Sequence, residues 1–376
     1  MKTFDRYIGR QVLFATLFGI FVLSFVLVLG NIFKKLMTTL DKYPDLGWGF
    51  VLEFILNILP FSLIFTVPWG LLTAILLTFG RLSADNELTS LRMAGLSLPR
   101  ICAPVFAISL VATAISFWIN VEVAPASKSR LSQIFFRIAT ENPGAMFVED
   151  EVVNTLPGYS VYTLKRDLID AATGHYAIKN LVLIKLNSRR QPDIFIQSAQ
   201  AEIGFDAGNV ETLFLQLTHA HLEKTEGDDT KSFFRHSAVR PGQATLQLSL
   251  ERLRDQERKD KPSYLPSREL TKVAAAEQRP EKKALLVTEL HKRYSLSFAC
   301  LAFCLIGVPL GVTAQRRETS IGFALSMVIA VAYFLGIVIA EVFRDNPHAY
   351  PHVLVWMPNI VFIPLGMYLF WRLSRK

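Results

Sequence analysis

Charge is scarce in this chain: 19% of its 376 residues are Asp, Glu, Lys or Arg, against about 25% in ordinary soluble domains. Cysteine is scarcer, at three residues, and Cys102, Cys300 and Cys304 all fall within apolar runs. The polar middle of the chain therefore has no thiols for a disulfide framework. The three cysteines read as small buried hydrophobes, because no further His or Cys stands at a spacing that would build a metal or redox centre. Signatures of nucleotide and hydrolase chemistry are missing too. No G-x-x-x-x-G-K-[ST] is present to cradle phosphates, and there is no H-E-x-x-H or G-x-S-x-G. His219 and His221 share a strand face but lack a third ligand at suitable spacing, so they read as ordinary histidines. These absences exclude a P-loop ATPase, a zincin and a serine hydrolase of that type. The expectation is a non-enzyme with neither metal nor cofactor of its own.

Long uncharged stretches are abundant. They cover residues 11–33, 54–80, 101–121, 295–315, 319–340 and 346–371, each long enough to cross a hydrocarbon layer of roughly 30 Å, which takes about 20 residues at helical rise. The first run follows Lys2, Arg6 and Arg10. It is longer than a signal-peptide core and no A-x-A-like site follows it, so it reads as a retained span. Six membrane helices are predicted, three before and three after a polar insert of about 170 residues, which is enough for a domain with its own core.

The basic residues set an orientation. With the N-terminus inside, Lys2, Arg6, Arg10, Arg81, Arg92, Arg100, Arg316, Arg317, Arg372, Arg375 and Lys376 are cytoplasmic. Only Lys34, Lys35, Lys42 and Arg344 fall in the short outer loops. Both termini are then cytoplasmic and the insert is periplasmic. The sequence pI of about 9.3 reflects this scatter around membrane ends, whereas a nucleic-acid footprint would gather the charges into one stripe.

Within the insert the hydrophobic period changes to two. Leu213, Leu215 and Leu217 alternate with Thr212, Phe214, Gln216 and Thr218, and similar stretches occur at 151–156, 159–164, 178–186, 194–203 and 244–250, separated by Gly, Pro, Asn and Asp. An antiparallel sandwich or jelly roll is expected. The expected organisation is spans 1–3 over 1–121, a β domain over 122–250, a charged and partly helical tether over 251–293, and spans 4–6 over 294–376. Between spans 2 and 3 a short amphipathic helix is predicted at about 83–95. Ser83 is its expected N-cap, Asp85 and Glu87 lie in its first turn, Ala84, Leu88 and Leu91 share a face, and Gly95 ends it.

Three stretches carry a resemblance: Gly80-Arg-Leu-Ser-Ala-Asp-Asn-Glu-Leu-Thr-Ser-Leu-Arg-Met-Ala-Gly-Leu-Ser97, Glu289-Leu-His-Lys-Arg-Tyr294 and Trp356-Met-Pro-Asn-Ile360. In their order and spacing, over nearly the whole chain, they resemble the LptF/LptG (YjgP/YjgQ) family of lipopolysaccharide export permeases. That resemblance implies a permease subunit of an ABC-type exporter in the inner membrane. It would pair with a second subunit of the family, sit on a dimeric ABC ATPase that uses the ATP, and pass lipopolysaccharide from the outer leaflet to a periplasmic LptC/LptA-type jelly-roll protein. It also places lipid-binding basic residues at Lys34 and Lys35, whose ammonium groups would meet headgroup phosphates. The 83–95 helix is the expected contact with the ATPase: Leu88 and Leu91 would enter an apolar cleft, Glu87 beside Arg92 would pair with a basic residue at its rim, and Arg316 and Arg317 offer a second cytoplasmic surface. Two other classes share the span pattern. One is a mechanotransmitting ABC permease that moves no lipid, and the other is a membrane-anchored sensor or scaffold.

Overall fold

The computed structural model describes residues 2–42, 48–141, 151–153, 159–170, 175–186, 192–206, 209–225, 236–239, 242–249, 261–313, 319–344 and 346–375. The chain divides into two compact units, one formed by residues 1–39, 46–128 and 262–376 and the other by 40–45 and 129–261.

The first unit is helical. Helices α1 (Lys2–Lys42), α2 (Trp48–Ala84), α3 (Glu87–Met93) and α4 (Leu98–Trp118) precede the strands; α4 runs through a π-helical turn, Ile119–Val123, into α5 (Ala124–Glu141). After the strands come α6 (Ser267–Ala276), α7 (Pro280–Thr313), α8 (Thr319–Val342), the short α9 (Pro351–Leu354) and α10 (Met357–Arg375). Six of these segments are long and apolar enough to cross a membrane: Phe4–Gly30, Val51–Ala84, Leu98–Ile134, Pro280–Thr313, Ile321–Val342 and Pro351–Arg375. Three precede the strands and three follow them.

The third helix continues about 20 residues beyond the uncharged run that announced it, to Glu141. Glu122 and Lys128 end the apolar pattern but do not stop helix propagation, and the π turn accommodates Pro125. Pro125 has no N–H to give the Val121 carbonyl four residues earlier. The Ser267 hydroxyl donates to that carbonyl instead, at 3.0 Å.

Helix α7 is central and packs on α2, α4 and α10. The apolar windows of α2 and α7 are 72% and 67% buried, against 22% for α1 and 28% for α8. On α1, Phe14, Phe18, Phe21 and Phe25 are exposed. A soluble protein would not leave so long an aromatic stripe in water, but a helix facing lipid does so without cost. Lipid gives no hydrophobic incentive for helices to associate, so close backbone approach matters more. A Cβ on Gly366 of α10 would lie 2.8 Å from the backbone carbon of Leu305 on α7, and one on Gly70 of α2 would lie 2.9 Å from the Ile20 nitrogen on α1.

The second unit is a single antiparallel sheet of seven strands: β1 (Glu151–Val153), β2 (Tyr159–Asp170), β3 (His175–Leu186), β4 (Pro192–Asp206), β5 (Asn209–Thr225), β6 (His236–Val239) and β7 (Gln243–Ser249). The order is β1 to β6, and β7 shares with β6 the edge of β5 opposite β4. The alternation read from the sequence holds along each strand but changes phase once. Ile178 is buried, then Leu181 and Leu183; Ile196 and Ser198, then Ala201 and Ile203; Leu213, Leu215 and Leu217, then Ala220.

The changes line up. The pairings Lys179↔Gln200 and Leu181↔Ser198, with Ser198↔Ala220 and Gln200↔Thr218, set Asn180, Ala199 and His219 side by side across the sheet. Asn180 and His219 have left-handed φ of 52° and 54°. Such a residue inverts the side-to-side sequence, so each strand bends and presents apolar groups to the same face beyond the bend. The His219 N–H leaves the ladder to donate to the Gly242 carbonyl at 2.9 Å, and the Ser198 hydroxyl is shared between the carbonyls of Gln200 and Thr218 at 2.7 and 2.8 Å. The buried members of this apolar cluster all lie on strands, so the sheet covers its own face by curling.

Replacing Gly366 by Ala drives a methyl into backbone that cannot rotate away, and overpacking of this kind costs about 1–3 kcal/mol. Gly366→Ala is expected to lower the thermal midpoint of the detergent-solubilised protein. Gly30→Ala, which meets nothing within 4 Å, should leave it unchanged or raise it slightly; equal midpoints for the two variants would show that the α7–α10 approach is not tight.

Candidate functional site

Chemistry-bearing residues gather at the two ends of α7. Near its C-terminus lies the segment that sequence reading singled out as a docking helix. Helix α2 runs on through Ala84, so Ser83 is not the expected N-cap; its hydroxyl donates to the Val312 carbonyl at the end of α7, 2.9 Å away. The chain turns at Asn86, whose φ is 58°, and α3 begins at Glu87. It ends in a Schellman arrangement: the Gly95 N–H donates to the Arg92 carbonyl at 3.0 Å and the Leu96 N–H to the Leu91 carbonyl at 3.2 Å. Gly95 takes the left-handed φ of 83° that this geometry requires.

The exposure of α3 corrects part of the expectation. Leu88 is 4% exposed and belongs to the chain's own core, with Leu91 half-buried against the same cluster. Neither is free to enter a partner's cleft; both anchor the helix to the bundle. The side chain that does project is Met93, 79% exposed. Sequence reading passed over it because it falls off the apolar stripe. Glu87 is half-buried and accepts from the Tyr7 hydroxyl of α1 at 3.5 Å, and Arg92 is half-buried with no ion pair among the described residues. A short ion pair at 2.6 Å, Asp5–Arg100, ties α1 to the start of α4 beside it. Arg316 and Arg317 lie outside the described residues. Lys34 and Lys35 fall in α1, but their side chains are outside the described set.

At the opposite end of α7 the other two quoted motifs meet in space. Arg293 is 4% exposed, and its guanidinium donates to the carbonyls of Leu265 (3.0 Å) and Pro262 (3.1 Å) and to the Ser267 hydroxyl (2.8 Å). A fourth contact runs to Glu289, one turn back, at 3.5 Å. The C-terminal part of the charged, partly helical tether is therefore docked here. Residues 262–264 form a 3₁₀ turn, and α6 lays Leu270 and Ala274 on Leu286 and Leu290 of α7. Between α6 and α7 the Glu277 carboxylate accepts from the Arg279 backbone N–H and guanidinium, which hold it below the ordinary carboxylate range.

Lys292 bridges Glu289 at 2.7 Å and Glu341 of α8 at 2.5 Å. The Lys128 ammonium lies 4.6 Å above the ring of Phe61. One turn further along α7, Asn359 donates to the carbonyl and hydroxyl of Ser295, both at 2.9 Å, while the Tyr333 hydroxyl is shared between the Asn359 side-chain oxygen (3.0 Å) and the Ser295 carbonyl (3.2 Å). The Ser295 hydroxyl donates to the Val355 carbonyl at 2.6 Å. Ser295, Tyr333 and Asn359 are at most 3% exposed. None of Tyr333, Glu341 and Lys128 was picked out from the sequence. The available signal was a phenol inside the 319–340 run, and an acid directly after it.

Six apolar helices, joined through glycine contacts and interhelical hydrogen bonds, together with a separate antiparallel sheet, define a polytopic membrane protein of the α+β class. The family described as lipopolysaccharide export system permease LptF/LptG matches residues 6–372. The chain belongs to this family, a permease component of lipopolysaccharide transport. Comparison with individual curated proteins gives no match.

The Arg293 clamp yields a measurable expectation. Arg293→Lys keeps the charge beside Glu289 but cannot reach three oxygens at once, and a buried acceptor left unsatisfied costs about 1–3 kcal/mol. Amide hydrogen exchange over residues 262–276 should rise by about tenfold or more, since 1.4 kcal/mol is a factor of ten, with exchange in 295–313 unchanged. Unaltered protection of 262–276 would mean that α6 is held by its apolar face alone.

Proposed function

We propose that this chain is one permease half of an ABC-type lipopolysaccharide exporter in the inner membrane. It pairs with a second subunit of its family and is driven by a separate dimeric ATPase that docks at α3. The lipid is lifted from the outer leaflet and passed through the strand domain, a periplasmic jelly roll, to an LptC/LptA-type bridge protein. In this reading both termini are cytoplasmic, as the Lys/Arg asymmetry of the short loops favours.

The observation that carries the reading is the build of α3. Its apolar stripe is locked into the bundle through Leu88 and Leu91 and its C-terminus is closed by Gly95, while Met93 projects and Glu87 touches α1 through Tyr7. A push on such an element is transmitted as a displacement, because packed side chains give discrete rearrangements in place of continuous yielding. Met93 suits an apolar cleft on the ATPase, Glu87 and Arg92 its charged rim, and Arg316 and Arg317 a flanking contact. In the same reading Lys34 and Lys35, toward the far end of α1, bind headgroup phosphates through charge-assisted hydrogen bonds.

The test uses the permease pair co-expressed with the ATPase in nanodiscs holding lipopolysaccharide. Glu87→Arg is expected to weaken lipid-stimulated ATP hydrolysis by at least about tenfold, since disrupting a desolvated charge pair costs about 2–5 kcal/mol. A reversed charge on the ATPase should restore it, and Tyr7→Phe separates loss of the α1 contact from loss of docking. Lys34→Glu with Lys35→Glu should weaken photocrosslinking to the lipid while ATPase association persists. Native mass spectrometry that finds the ATPase bound but no retained lipid would turn the reading toward a mechanotransmitter, and absence of the ATPase would turn it toward a sensor or scaffold.

A further inference from the structure

Between α8 and α10, residues 346–356 return to α7 at its N-terminal half. Three side-chain hydrogen bonds hold this return: Ser295 to the Val355 carbonyl, Asn359 to Ser295, and the indole of Trp356 to His291, whose Nδ1 lies 3.1 Å from the Trp356 Nε1. The third differs in kind. An indole N–H only donates, so the Nδ1 of His291 must carry a lone pair, and its single proton sits on Nε2. The imidazole is therefore neutral whenever this bond exists.

His291 also faces a second imidazole. The His352 ring on α9 lies 5.6 Å from it, centroid to centroid, and Trp356 packs at 6.4 Å. From its own helix Tyr294 contributes a ring at 6.4 Å, and Tyr350 stands 6.1 Å from His352 on the other side. The neighbouring charges in sequence are engaged elsewhere: Lys292 with Glu289 and Glu341, Arg293 with Glu289 and the 262–267 segment. Among the described residues no carboxylate lies within ion-pair distance of His291.

We propose that His291 is a proton-binding site that governs the attachment of the span-joining segment 346–356 to α7. Uptake of one proton from solvent places a hydrogen on Nδ1 and removes the acceptor of Trp356, whose N–H must turn away. The same proton creates a cation facing His352, and a second proton on His352 would add like-charge repulsion. The Ser295 and Asn359 bonds contain no titrating group and persist, so the segment stays tethered at Val355 while its Trp356 and His352 side loosens. Histidine is the side chain whose ordinary titration falls between about pH 5 and 8, which sets the range to be titrated.

The test is a titration of the full chain in nanodiscs from pH 8 to pH 5, reading Trp356 as the wild-type emission minus that of Trp356→Phe. Imidazolium quenches indole emission more than neutral imidazole, so the Trp356 signal is expected to fall as the histidine charges. His291→Gln, which retains an acceptor oxygen without a titrating group, should abolish the change. In parallel, the indole N–H resonance of Trp356 in ¹⁵N-tryptophan-labelled wild type should move with the same midpoint. An indole signal that stays flat across the range overturns the proposal, as does an unchanged titration in folded His291→Gln. Should that variant not fold, the resonance in wild type decides alone: a shift matching the emission midpoint supports the site and a fixed resonance refutes it.

Discussion

A polar group inside an apolar bundle must find its partner within the chain, and Ser295, Tyr333 and Asn359 satisfy that constraint together. Their hydrogen bonds join α7, α8 and α10 at one level, with none of the three more than 3% exposed. Interhelical bonds of this kind average only about 0.6 kcal/mol each in a membrane. Their larger effect is on register: a slide of α8 or α10 by one turn would strand a phenol or an amide in hydrocarbon, at a cost of several kcal/mol. The aromatic contacts around Tyr333 to Phe303, Phe334 and Phe362 then follow from that fixed register.

The six spans were legible because segregation of charge is a one-dimensional signal. Their ends were less so. The uncharged-run reading stopped the third helix at Val121, yet Pro125 lies four residues on and the helix passes it through a π turn, borrowing the Ser267 hydroxyl from 146 residues away. No local pattern contains that partner. The strands were legible as alternations, and the phase changes at Asn180 and His219 were visible only as breaks in period. Their alignment across the sheet depends on register, which pairs residues of different strands. Strand β6, four residues long, carries too little periodicity to be found.

A short helix stands where the sequence predicts one, at Glu87–Met93 within 83–95, and its apolar stripe faces its own bundle. Leu88 and Leu91 formed the apolar stripe, and an apolar stripe on a short helix serves its own bundle before any partner. Glu87 and Arg92 remain half-exposed on the other side. The motif Glu289 to Tyr294 was quoted for its resemblance alone; the structure gives each polar member a separate partner. Lys292 bridges Glu289 to Glu341, Arg293 holds the 262–267 segment, and His291 accepts from Trp356 of the other motif. Residues that were distant in sequence and similar only in family pattern are neighbours because α7 brings them to one end.

Helix α7 thus carries a polar contact at each end, Ser83 to Val312 at one and the Arg293 and Lys292 clusters at the other, with α2 pressed along its length. Burial is uneven around this pair. The windows of α2 and α7 are about two to three times as buried as those of α1, α8 and α10, and apolar contact between helices is what a bundle in lipid has to hold it. The least buried helices therefore displace at the lowest energetic cost. Helix α1 is attached to the rest at two small-residue or polar contacts within its span, Gly19 against Gly70 and Ser24 against Thr66 at 2.9 Å, and at its start through Asp5 and Tyr7. Helix α8 is attached through Tyr333, Ser326 to Thr73, and Glu341. A rearrangement that leaves α2 and α7 as a rigid core acts through contacts of this kind, together with the glycine approaches of Gly9 to Pro104 and Gly336 to Pro358. The Glu341 ion pair is the most solvent-accessible of these ties of α8, and Lys292 keeps Glu289 when it opens.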